Sequence, residues 1–163
     1  MRKRCTRALA LGLAALGLCL AACGQPDAPA EAKAAFASPA ATFSTFSRAL
    51  ADEDWAAAWA CYSASYRAGI HQDDMEAWTA QMRSDPNYLQ SIQRREISAE
   101  RAINDRIGYL LFDSTTLDSP QQSPFFYFIR EAQGWMITTH LDTVFHRELE
   151  SSIARGEFDL QAR

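Results

Sequence analysis

Lysine is almost absent from this 163-residue chain: only Lys3 and Lys33 occur, and arginine supplies the other bases. Signature motifs of common chemistries are missing too. There is no glycine-rich phosphate loop, no Gly-x-Ser-x-Gly, no His-Glu-x-x-His and no Cys-x-x-Cys. Phosphate-loop nucleotide binding, the serine-hydrolase elbow, zinc-protease chemistry and dithiol redox chemistry therefore have no footing in the sequence. The longest apolar run, Ala8 to Ala22, has 15 residues, short of the roughly 20 a helix needs to span a bilayer. Three of the four cysteines (Cys5, Cys19, Cys23) lie in the first 23 residues. Cys61 is left without a partner for an internal disulfide and reads as a small core residue. Metal ligands are sparse. His71 with Asp73 and Asp74 is the one dense cluster, and its acids serve better as helix caps. His140 and His146 stand six apart across a strand-to-helix junction, a spacing with no standard metal geometry. No metal or cofactor is expected.

What is present begins with the leader. Arg2, Lys3, Arg4 and Arg7 precede the apolar run, which closes on Leu20-Ala21-Ala22-Cys23-Gly24. Basic start, short apolar core and small-residue end are the layout of a secretory signal. The Cys directly after Leu-Ala-Ala resembles the lipobox of bacterial lipoproteins. That resemblance implies removal of residues 1–22, a diacylglyceryl thioether on Cys23 and acylation of its new amino group. It implies a lipid anchor in the bacterial cell envelope, and Gly24 instead of Asp points to the outer membrane, facing the periplasm. A single acyl chain binds a membrane with K of only about 10⁴ M⁻¹, whereas two or more signals anchor stably. Four of the 16 bases and none of the 20 acids fall in the leader, which leaves 12 against 20, or −8. A surface this acidic argues against nucleic acid and against polybasic docking on anionic lipid. Residues 23–37, rich in Ala, Pro and charge, suit a flexible tether. Residues 38–163 are expected to form one domain.

Within that domain, Ser38-Pro39 is a helix start, Ser capping and Pro at the first turn. Phe43, Phe46 and Leu50 share one face of the helix. Asp52-Glu53-Asp54 opens a second helix with Trp55, Trp59, Tyr62 and Tyr66 as one continuous stripe, ending at Gly69. Asp73 and Asp74 cap a third, with Met75, Trp78 and Met82 inward, stopped by Asp85-Pro86-Asn87. Four strands follow: Ile92 to Ser98, Arg106 to Thr115, Phe125 to Arg130 and Trp135 to Leu141. Asn104-Asp105 and Glu131-Ala132-Gln133-Gly134 are the turns, and Ser119 to Pro124 is a loop. Asp142 caps a last helix carrying Phe145, Leu149 and Ile153, with Gly156 at its end. Helices grouped ahead of strands indicate an α+β domain: N-terminal helices packed on a curved four-stranded antiparallel sheet, with a C-terminal helix.

This order, with Phe43, Phe46, Ala49-Leu50 and Asp54-Trp55 in the helices and Gly134-Trp135-Met136-Ile137 in the last hairpin, resembles the nuclear-transport-factor-2-like superfamily. The resemblance implies a cone-shaped α+β fold. Enzymes of that group, such as ketosteroid isomerase and polyketide cyclases, place their site in the cone, with an Asp base and a Tyr or protonated Asp donor. The candidate pocket-lining residues are Trp59, Tyr62, Tyr66, Tyr109, Asp113, Tyr127 and His140. Core packing also accounts for the tyrosines, and solvent exposure or a core hydrogen bond for His140. Arg94, Arg95, Arg101 and Arg106 gather near the first hairpin, as an ion-paired sheet face or a patch for an anionic ligand or partner. Three functions follow. The preferred one is a non-catalytic envelope lipoprotein that binds a small apolar molecule or an envelope protein. The second is an isomerase- or cyclase-like enzyme pairing Tyr62 or Tyr66 with Asp113 or His140. The third is a structural assembly module.

Overall fold

The structure, a computed structural model, describes residues 34–157. The leader 1–22, the lipidation residue Cys23, residues 24–33 of the expected tether and residues 158–163 lie outside the described residues.

Helices α1 (Pro39–Ala51), α2 (Trp55–Ala60), α3 (Ala64–His71), α4 (Met75–Ser84) and α5 (Pro86–Arg94) precede strands β1 (Ile97–Ala102), β2 (Ile107–Phe112), β3 (Phe125–Glu131) and β4 (Gly134–Thr138); α6 (Thr143–Ala154) follows. The strands pair in chain order as one four-stranded sheet, antiparallel at every step. The α+β order expected from the sequence is thus the observed one.

The caps explain where helices begin. Ser38 Oγ accepts from the Ala41 amide at 3.2 Å ahead of Pro39, and Asp74 and Asp142 cap α4 and α6 in the same way. Several expectations fail, each for a physical reason. The aromatic stripe is not one helix. The chain breaks at Cys61-Tyr62-Ser63 because Ser63 Oγ caps α3 and the backbone there docks on β4. Ile137 N–H donates to Cys61 O and Ser63 N–H to Ile137 O, both at 2.8 Å. A tertiary ladder outweighs helical continuity here. Gly69 lies inside α3, which ends instead on left-handed Gln72 (φ 52°). The segment after Pro86 is α5 and not the start of a strand, so Ile92 is helical and β1 begins at Ile97. Asp85 accepts from the Tyr88 amide at 3.0 Å ahead of Pro86, the same cap-then-proline start as Ser38-Pro39. Met75 is 38 % exposed, not inward, while Trp78 and Met82 are buried. The second and fourth strands are shorter than expected, because Asp113 opens a short 3₁₀ turn and Thr139 leaves the ladder.

The sheet separates two cores. On the helix side, Phe43, Phe46, Leu50, Trp78, Phe112 and Phe128 pack with Tyr62 and Ile137. On the other side, Phe145 of α6 closes a smaller cluster of Ile103, Ile107, Ile129 and Met136. Gly134, at φ 131°, ends the last hairpin, and a Cβ there would lie 2.2 Å from the Phe36 carbonyl oxygen. That approach lets Trp135 N–H donate to Phe36 O at 2.9 Å. Residue 36, within the expected tether, is therefore bonded to the sheet. No helix among the described residues is long and apolar enough to cross a membrane.

Candidate functional site

A cavity of about 200 Å³ opens where β3 begins and β4 ends. The helical layer contributes Tyr62, Tyr66 and Tyr88; β3 contributes Phe125, Phe126 and Tyr127; Ile137, Thr138, Thr139 and His140 close the other wall. Four of the chain's five tyrosines meet here. The break after α2 is what brings them together. It seats Tyr62 on Ile137, and Tyr66, one turn into α3, stacks on Tyr62 with ring centroids 4.8 Å apart and planes 12° apart. Tyr88 reaches the same space from α5.

The electrostatics are those of neutral phenols. Burial pushes Tyr62 well above the ordinary tyrosine value, with Tyr88 and Tyr66 adding to the rise and a hydrogen bond with Trp78 opposing it. Tyr66 is pushed up to about 12 by burial and by Tyr88. Tyr88 rises through burial, opposed by the Arg95 cation and by a hydrogen bond with Tyr62. Tyr127 rises through burial and through Tyr109. All four therefore stay protonated at neutral pH and present hydroxyls, not charge. Thr138 is 6 % exposed, and its Oγ1 is buried with no hydrogen-bond partner. A buried hydroxyl left unmatched costs about 1–3 kcal/mol, and this one, although its residue borders the cavity, is closed off from the open space.

Of the residues anticipated from the sequence, Tyr62, Tyr66, Tyr127 and His140 line the cavity, and Trp59, Tyr109 and Asp113 do not. Trp59 packs on Trp78 at 5.3 Å and on His71 at 5.7 Å, with the Arg67 guanidinium over its ring. Tyr109 sits edge-on to Phe125 and packs against the smaller core. Asp113 caps the 3₁₀ turn: its Oδ1 accepts from Thr115 N–H at 2.8 Å and from Thr115 Oγ1–H at 2.7 Å, which holds its carboxyl below the usual range. His140 is at the exposed rim with its ring 5.7 Å from that of Tyr127. Tyr88 and Thr138 were not anticipated. The Asp85-Pro86 start is the signal that would have placed Tyr88 on a helix; nothing local marks Thr138.

The four arginines near the first hairpin do not form one patch. Arg94 pairs with Asp118 and Arg106 with Glu148, whereas Arg101 donates to the Glu100 carbonyl. Cys61 is fully buried, donates to the Ala57 carbonyl oxygen at 3.3 Å, and has its thiol pushed up to about 12 by burial. Among the described residues, no three His, Cys, Asp or Glu side chains are grouped to hold a metal ion. No family model, curated protein or solved structure matches the chain.

Proposed function

We propose that this chain is an envelope lipoprotein, anchored through lipid on Cys23. On this reading its α+β domain, of the nuclear-transport-factor-2-like kind, binds a small, neutral aromatic molecule in the tyrosine-lined cavity. The observation that carries the binding reading is the convergence of four tyrosines on one space of about 200 Å³. An apolar cavity of roughly 150 Å³ holds a benzene ring, so a ligand of one substituted ring suits this volume. Tyrosine walls supply ring contacts at centroid distances of about 4.5–7 Å, and their hydroxyls, with His140 at the exposed rim, supply polar points for orientation.

The catalytic alternative draws on His140 sharing the cavity with the phenols. It requires a base at a tyrosine hydroxyl. Among the described residues, neither Tyr62 nor Tyr66 has a carboxylate or histidine as a hydrogen-bond partner; His71 meets Tyr66 ring to ring, at 5.5 Å. Binding is therefore the better supported function. Native mass spectrometry of the protein taken from its own envelope fraction tests both halves. The proposal expects a processed N-terminus carrying acyl mass on Cys23 and a co-purifying molecule of single-ring size. An unacylated N-terminus, or a Cys23→Ser chain that fractionates with membranes as fully as the parent, removes the anchor. Phenolic ligands that fail to bind remove the cavity reading.

A further inference from the structure

A second concave surface lies on another side of the helical layer. One wall is α1, where Ser44, Ser47 and Arg48 share a face; the other is the α5–β1 connection with Gln93 and Arg95; Phe43 and Ile97 give it an apolar side. Its volume is about 510 Å³, and no acidic residue lines it. Among the described residues, Arg67, Arg94, Arg106 and Arg155 have carboxylate partners. Arg48 and Arg95 have none within ion-pair distance among the described residues.

Arg95 is held in place. Its guanidinium lies 5.3 Å from the Phe112 ring centroid and 6.0 Å from that of Phe126. Its Nε is buried with no hydrogen-bond partner. Stacking fixes the plane of the fork without using its donors. A cation kept partly out of water, near Asp118 without pairing with it, and sharing an acid-free groove with a second arginine, suits an added anion. Ile97, 41 % exposed, offers contact to a hydrocarbon segment.

We propose that this groove is a binding site for a small amphiphilic anion, a carboxylate or phosphate monoester on a short apolar tail, with Arg95 and Arg48 holding the head. The site shares no lining residue with the tyrosine cavity, although its Arg95 stacks on Phe126 of that cavity.

Calorimetric titration of the full-length protein with octanoate and octyl phosphate, against octanol and inorganic phosphate, tests it. Both anionic amphiphiles bind one-to-one, more weakly as salt rises, and octanol binds at least about tenfold more weakly. Inorganic phosphate is also weaker, because it leaves the apolar side empty. Arg48→Gln changes an exposed side chain, folds normally and weakens both anions about tenfold. Arg95→Gln does so more strongly, and Thr138→Val leaves them unchanged. Octanol binding as tightly as octanoate, or Arg48→Gln binding like the parent, overturns the anion site. Inorganic phosphate matching octyl phosphate overturns the amphiphile assignment. Loss of octanoate binding in Thr138→Val would move the ligand to the tyrosine cavity and also overturn the groove.

Discussion

The filled layer between helices and sheet and the cavity at its margin are both aromatic, yet they use different residues. Phe43, Phe46, Phe112 and Phe128 fill the layer, each at most 4 % exposed. Tyr62, Tyr66, Tyr88 and Tyr127 surround the cavity. A phenylalanine ring loses water and leaves nothing unmatched. A tyrosine brings a hydroxyl that must find a partner when buried. The cavity wall also holds Phe125 and Phe126, so what sets it apart from the filled layer is the added hydroxyls, which give the space hydrogen-bonding capacity. The Phe46 and Tyr62 rings meet edge-on at 5.3 Å, which marks the boundary between the two regions.

The largest effect tests the filled side. Phe46→Ala, at a site with no exposure, should cost about 3–5 kcal/mol, a large share of a total of about 5–15. Tyr66→Phe should change stability by less than about 0.5 kcal/mol. Urea unfolding measures both, and equal losses would erase the distinction. Next is alkaline pH. The cavity phenols have folded-state values above their unfolded value of 10, so their contribution is complete below pH 10. It is lost as pH climbs from 10 through about 12, the value for Tyr66. Melting temperature followed across that window should fall as tyrosinate absorbance rises, and Tyr66→Phe should flatten the fall.

A smaller effect concerns the cavity wall. Thr138→Val keeps the shape and removes the partnerless hydroxyl, so stability should hold or rise by about 1 kcal/mol. A loss larger than this would mean that the hydroxyl is bonded in solution. The smallest effect is on reactivity. Cys61, fully buried with its thiol pushed up to about 12, should resist alkylation in the folded protein and react once urea unfolds it. Mass spectrometry with iodoacetamide measures the difference.

Much of the filled region was legible because its signals are local. Ser38-Pro39, Asp74, Asp142 and Gly134 name their own caps and turn, and Phe43, Phe46 and Leu50 repeat at helical spacing. The cavity was legible only in part. Tyr62 and Tyr66 sit in sequence as if on one helix, and only Ile137, about 75 residues away, turns Tyr62 out of it. Tyr88 was hidden by reading the segment after Pro86 as extended, although Asp85-Pro86 repeats the start signal of α1. The Thr138 hydroxyl lacks a partner only because of what packs around it, which no window of sequence records. Residues that cap or pack locally can be read early, whereas residues that leave space cannot.

Calorimetric titration with p-cresol and toluene, on the parent and on Tyr66→Phe, tests the central claim most directly. The account predicts one-to-one binding of p-cresol, several-fold tighter than toluene in the parent, with the difference reduced by Tyr66→Phe. Failure of both compounds to bind the parent, or a p-cresol preference untouched by Tyr66→Phe, would contradict it.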